Sequence, residues 1–221
     1  MKRTRAAWQE WERREMTRIL LTRHGHVEGI RPERFRGRAE LPLTAQGVAE
    51  AQALAARIAR HWKPTKVYTS ALQRCVLTGG AIAGAVNAAA EPLAGLMDID
   101  YGAWQMRTHE EIEKEAPETY RLWRTAPQRV RFPGGESLQD VIARTADVLR
   151  LVLARHASDT VVLVGHDSVN RALLMQLLDM PLTAYARIVQ DPCTLNEIEV
   201  SSGGDIRIQR INDTSHLDSE P

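Results

Sequence analysis

Thr160-Val161-Val162-Leu163-Val164-Gly165-His166 is a run of apolar, mostly β-branched residues that ends in glycine and histidine. An unbroken run, as opposed to an alternating one, is the pattern of a strand buried on both faces, which calls for a parallel sheet covered by helices. Helical spacing follows at once, from Ser168 to about Leu178. The same order recurs on either side. Residues 18–22 read as a short buried strand around Ile19-Leu20-Leu21, and Thr44 is the expected N-cap of a helix whose Val48, Ala51, Leu54, Ala55, Ile58 and Trp62 share one face. Residues 66–70 form a strand that leads into an Ala-rich helix over about 71–85. After the breaker Pro133-Gly134-Gly135, Ser137 and Asp140 make a capping pattern before Leu138, Val141, Ile142, Thr145, Leu149, Val152 and Leu153. Near the end, residues 194–200 and 206–211 flank Ser202-Gly203-Gly204-Asp205, a hairpin signal. The expected fold class is α/β: a three-layer αβα sandwich with a mostly parallel central sheet and a C-terminal antiparallel hairpin. Residues 92–135, rich in Trp, Glu, Arg and Pro, fit this rhythm poorly and are expected to form a helical insertion or lid.

Length and composition set the frame. The 221 residues predict one domain over 16–211, a charged N-terminal extension at 1–15 and a disordered polar tail at 212–221, with Met16 an alternative start. With 29 Lys plus Arg against 28 Asp plus Glu, the net charge of +1 argues against nucleic acid or an anionic membrane as partner. Two cysteines, Cys75 and Cys193, cannot build a disulfide framework, and no apolar run reaches the roughly 18–20 residues of a membrane span. A reducing, cytoplasmic setting is expected, and a homodimer stays open as the assembly.

Three predicted strands end alike. Leu21-Thr22 runs into Arg23-His24-Gly25, Thr69-Ser70 into Ala71-Leu72-Gln73-Arg74, and Val164 into Gly165-His166. In a parallel sheet these carboxyl ends lie along one edge, where ligands bind in open α/β folds. Two histidines and two arginines then converge on one crevice. Each His taken alone is more often a structural residue; the joint arrangement is what points to chemistry. Gly25 lets backbone and ligand come close.

These residues resemble the histidine phosphatase superfamily, which includes the cofactor-dependent phosphoglycerate mutases. Leu21-Thr22-Arg23-His24-Gly25 is similar to its RHG signature, Pro42-Leu43-Thr44-Ala45-Gln46-Gly47 to its PLT-x-x-G helix start, and Tyr68 to Arg74 to its Y-[ST]-S-x-L-x-R element. Leu96 to Trp104 resembles the L-x-E-x-x-x-G-x-W stretch, Phe132 to Ser137 the PGGES turn, and Val164-Gly165-His166 the second-histidine strand. The series is in order over about residues 18–200. It implies a phosphoglycerate mutase-like fold and a phosphatase acting on a small phosphorylated metabolite without metal or other cofactor. By that resemblance His24 attacks phosphorus and becomes phosphohistidine, Arg23, Arg74 and His166 bind the phosphoryl oxygens, and Asp98 gives a proton to the leaving group. The chemistry agrees, because a guanidinium stays charged and pairs phosphate oxygens in a fixed fork.

There are departures from the family pattern. His26, Val27 and Ile30 stand where the family has Glu or Gln, Thr and Asn. His26 is therefore a candidate phosphate contact or a plain surface histidine. Asp98 replaces the commoner Glu, and Asp167, next to His166, is the alternate acid, as in the acid phosphatase and phytase branch; Asp167 and Ser168 equally suit a helix cap. Arg36, Arg38 and Arg107 are candidates for the entrance, and Trp104 and Trp123 either shape the pocket or pack the lid. The rival readings are phosphoryl transfer of the phosphoglycerate mutase type, and a metal-dependent hydrolase with His24, His26, His166 and Asp98 as ligands. A quiet binding member of the same fold is a third.

Overall fold

The computed structural model describes residues 15–30 and 33–218. The N-terminal extension expected at 1–15 therefore lies outside the described residues, except for Glu15. In chain order the main elements are β1 (Met16–Arg23), α1 (Ala45–His61), β2 (Lys66–Thr69), α2 (Gln73–Val86) and β3 (Ala89–Pro92). Then come α3 (His109–Glu115), α4 (Pro117–Thr125), α5 (Leu138–Arg155), β4 (Thr160–Gly165), α6 (Asp167–Leu177), β5 (Leu195–Ser201) and β6 (Ile206–Asp213). The sheet order is β3-β2-β4-β1-β5-β6. β1, β2, β3 and β4 pair in parallel, whereas β5 runs antiparallel to both β1 and β6. The mostly parallel sandwich and its antiparallel terminal hairpin are as expected.

The period of two in β1 and β4 divides the interior. Ile19, Leu21, Val161 and Leu163 face a core shared with Leu138, Val141, Val152 and Leu173 of α5 and α6. Leu20, Val162 and Val164 face Leu54, Ile58, Cys75 and Ile82 of α1 and α2. All these side chains have essentially no exposure, and each contributes about 1.5–3 kcal/mol of burial free energy. Helices α1 and α5 start where their caps predicted. The Thr44 hydroxyl accepts from the Gly47 amide, and Ser137 and Asp140 form a reciprocal capping box.

Two readings change. β3 was not foreseen, because Ala89-Ala90-Glu91-Pro92 is a mostly exposed edge strand without β-branched residues. The tail expected to be disordered from 212 is ordered as far as 218. Asp213 ends β6 and pairs with Arg57 of α1 at 2.5 Å, which drives its carboxyl far below the usual range, and His216 Nδ1 accepts from Arg57 at 3.0 Å. Polar composition hid these partners, which come from a helix about 160 residues earlier. Within 92–135 the chain forms α3, closed by a Thr108–Glu111 capping box, and α4, which has proline at its first position.

Candidate active site

Register brings the ends of β1 and β4 together: Arg23 lies opposite Gly165, so His24 and His166 leave the sheet side by side. Their rings meet edge to face with centroids 5.1 Å apart. Both are buried, His24 at 2% exposure and His166 at 0%. The Nδ1–H of His24 donates to the carbonyl of Gly25 at 2.7 Å, which fixes the tautomer and leaves Nε2 with its lone pair. Complete burial, reinforced by His166, Arg23 and Arg74, holds the His24 pKa well below its ordinary value. Burial, then Arg74 and Arg23, does the same to His166. The resting imidazoles are thus neutral and the positive charge of the crevice sits on the arginines. The buried Cys75 thiol lies 3.4 Å from His166 Nε2, and burial pushes its pKa up, so it stays protonated.

The two arginines are held from behind. Arg74 donates through Nη1 to Ala39 O and through Nη2 to Gly37 O, each at 2.7 Å, and has no exposed surface. Arg23 donates through Nη1 to Gln190 O at 2.6 Å, and Gln190 is itself bonded to Asn196 of β5. In both residues Nε is buried without a partner. A buried, unsatisfied cationic donor is costly, and two of them flanking one histidine define a place for an anion.

Asp98 completes the group. Its Oδ1 accepts from Ser168 Oγ at 2.5 Å and from the Ile99 amide at 2.9 Å, while Oδ2 stands 3.5 Å from Arg74 Nη2 and 3.6 Å from His166 Nδ1. The loop bearing it is clamped: Arg38 and Arg144 both donate to Asp98 O and both pair with Glu136. Glu136 belongs to the Pro133-to-Ser137 turn, whose Gly135 would put a Cβ 2.4 Å from Asp100 O. Asp167 also reaches the pocket, but Arg171 holds it through Nε and Nη2 at 3.0 and 2.9 Å.

Several expectations are corrected. Gly25 is required by protein backbone, since a Cβ there would lie 2.3 Å from Gly47 O, and one on Gly47 would lie 2.1 Å from His26 O. His26 turns away from the crevice: its ring meets Thr44 Oγ1 at 3.0 Å and its amide donates to Glu50. Among the described residues no three His, Cys, Asp or Glu side chains form a metal-ligand set, so the His24/His26/His166 cluster is not assembled. Ser168 does not cap α6, whose N-cap is the extended His166; its hydroxyl serves Asp98. Arg36 lines the pocket, Arg38 braces the acid loop, and Arg107 pairs with Glu111 and Glu115 on the surface. Trp104 is core, and Trp123 lines the pocket with Tyr101 and Tyr185.

The Gly25–Gly47 contact makes a sharp prediction. Gly47→Ala forces backbone apart where the His24 loop meets α1, and is expected to cost about 3 kcal/mol. Thermal melting should show this as a Tm lowered by about 6–12 °C.

The pocket over His24 measures about 350 Å³. A parallel sheet covered on both faces, with paired histidines and arginines at its carboxyl edge, is the architecture of the phosphoglycerate mutase-like α/β class. The chain belongs to the histidine phosphatase superfamily (branch 1), whose sequence model matches residues 19–214. Phosphoserine phosphatase 1 of Hydrogenobacter thermophilus is 32% identical over 202 residues, covering 91% of this chain and 95% of that protein. The bifunctional protein Rv2228c of Mycobacterium tuberculosis is 30% identical over 91% of this chain, which spans 55% of that protein's length. Among solved structures, YhfR of Bacillus stearothermophilus superposes with a TM-score of 0.85 at 28% identity, covering 91% of this chain and all of that one. Among the described residues no helix is long and apolar enough to cross a membrane.

Proposed function

We propose that this protein is a phosphatase that needs no metal and hydrolyses a small phosphate monoester through a phosphohistidine on His24. The observation that carries the reading is His24 itself, a neutral imidazole with Nδ1 tied to Gly25 O, between two buried arginines with unpaired Nε. Phosphoryl transfer asks mainly for positioning and charge stabilisation, which these groups supply. The Nε2 lone pair of His24 forms the N–P bond as the ester P–O bond breaks, and the departing alkoxide takes a proton from the Asp98 carboxylic acid. Water then forms the new P–O bond as N–P breaks. Its proton goes to the Asp98 carboxylate, releasing inorganic phosphate and restoring both residues. Arg23, Arg74 and the N–H of His166 bind the three equatorial oxygens. Asp98 is preferred to Asp167 because it faces both Arg74 and His166, whereas Asp167 is committed to Arg171. The relationship to a protein named as a phosphoserine phosphatase supports hydrolysis.

The test is phosphate release from p-nitrophenyl phosphate and a panel of natural monoesters with excess chelator present. Full turnover is expected. Loss of turnover that returns on adding a divalent metal would replace this reading with a metallohydrolase, and interconversion of 2- and 3-phosphoglycerate run in parallel would replace it with a mutase.

A further inference from the structure

Cys75 takes no part in the phosphoryl-transfer scheme, yet it lies against a residue that the scheme needs. It follows Arg74 on the first turn of α2, so one turn of helix sends a guanidinium toward the crevice and a thiol toward the second histidine. The thiol has no exposure and belongs to the apolar cluster of Leu20, Leu54, Ile82 and Val164, so its hydrogen must find an acceptor within the protein. Two lie in reach: Gly165 O at 3.3 Å and His166 Nε2 at 3.4 Å, with Nδ1 of the same ring farther off at 3.9 Å. Gly165 O already accepts the His24 amide at 3.1 Å. His166 Nε2 has no other polar partner among the described residues. A neutral imidazole carries one N–H and one lone pair, and its neighbours decide which nitrogen holds which. On the Nδ1 side stands Asp98 Oδ2, 3.6 Å away and next to Arg74. A lone pair aimed at carboxylate and phosphate oxygens is repelled by them, whereas an N–H is attracted. On the Nε2 side the contact is with sulfur, a weak acceptor, so a bare nitrogen that takes the S–H makes the better pair.

We propose that Cys75 is a positioning residue for His166: its S–H donates to Nε2, which keeps the single imidazole proton on Nδ1, where it faces the crevice and meets a phosphoryl oxygen. Without the thiol the proton moves to Nε2, and the crevice receives a lone pair in place of a donor. The tautomer follows from the contacts of His166 alone, and its consequence for phosphate rests on the phosphatase reading.

Nitrogen NMR of protein labelled at its histidines reads the tautomer directly, because bare and protonated ring nitrogens resonate far apart; the His166 signals are those missing from His166→Asn. In the wild type at neutral pH, Nδ1 should be protonated and Nε2 bare. The reverse pattern overturns the proposal whatever the variants do. Cys75→Ser keeps a donor and should keep the pattern, whereas Cys75→Ala and Cys75→Val have none and should carry the proton on Nε2 in most molecules. Binding of inorganic phosphate, followed by calorimetry, should weaken in step. A site competent in about a tenth of the molecules binds about tenfold more weakly, so Cys75→Ala and Cys75→Val should each lose about tenfold and Cys75→Ser at most about threefold. Packing alone predicts the opposite order, since valine fills an apolar site and serine puts a hydroxyl into it. Affinity that falls as far in Cys75→Ser as in Cys75→Val, or that survives in both Cys75→Ala and Cys75→Val, overturns the positioning role. Should Cys75→Ala fail to fold, Cys75→Val and the wild-type spectrum still decide. A wild type with its proton on Nδ1 that releases no phosphate from any ester would leave the tautomer standing and remove the phosphatase reading; turnover with Nδ1 bare would do the reverse.

Discussion

His24→Ala is expected to lower kcat by about 10⁴–10⁶-fold, the range seen when a nucleophile is removed from a cooperating set. The loss should be in chemistry more than in binding, since Arg23, Arg74 and His166 remain in their proposed role of holding the phosphate. Rapid quenching of the wild-type protein with labelled substrate should trap a phosphoenzyme that survives alkali and is lost in acid, as a phosphoramidate is. The variant should trap none. Circular dichroism on the same sample separates this from unfolding, and a variant that is folded and turns over at a tenth of the wild-type rate would sink the proposal. The pH dependence has a definite sign. Burial and the surrounding cations lower the His24 pKa, so the nucleophile stays unprotonated at pH values below 6.5, where an ordinary histidine would be mostly charged. The acid limb of kcat/KM attributable to His24 should therefore lie below pH 6.5.

Asp98→Asn carries the second large effect, and it depends on the leaving group. An alkyl alkoxide needs a proton as it departs and nitrophenolate does not, so the loss should be about 10²–10⁴-fold on glycerol 3-phosphate and far smaller on p-nitrophenyl phosphate. Asp167→Asn frees Arg171 from its ion pair and alters the pocket wall, but should change both substrates by the same factor. A leaving-group-dependent loss in Asp167→Asn, with none in Asp98→Asn, would exchange the two roles. Ser168→Ala belongs to the same experiment as a positioning variant, because its hydroxyl orients Oδ1 of Asp98. It should show the Asp98 pattern at reduced size.

The sheet was legible because its central strands bury both faces and must be apolar throughout, as 160–164 and 19–21 are. The helix starts were legible because capping is local: Thr44 and Ser137 lie within three residues of the amides they serve. The convergence of His24, His166, Arg23 and Arg74 followed from strand direction alone. What escaped depends on contacts between distant segments. Nothing near Gly25 announces that its missing Cβ makes room for Gly47, and nothing near Ser168 announces a carboxylate 70 residues away. The turn of His26 toward Thr44 depends on how the loop packs on α1. The pocket mouth was the least legible part, since Arg36, Arg124 and His109 come to line one cavity only once α3 and α4 fold over the loop that carries Phe35.

In the proposed reaction Arg74 takes part with its conformational freedom already gone. Its fork is fastened to the carbonyls of Gly37 and Ala39 and no part of it meets solvent. A mobile arginine gives up roughly 2 kcal/mol of rotamer entropy when it closes on a ligand. Here that loss occurs once, during folding, and does not recur with each substrate molecule. Under the phosphate-binding role proposed for Arg74, part of the affinity for substrate is stored as stability forgone, and loosening the 37–39 segment should weaken substrate binding without altering Arg74 itself.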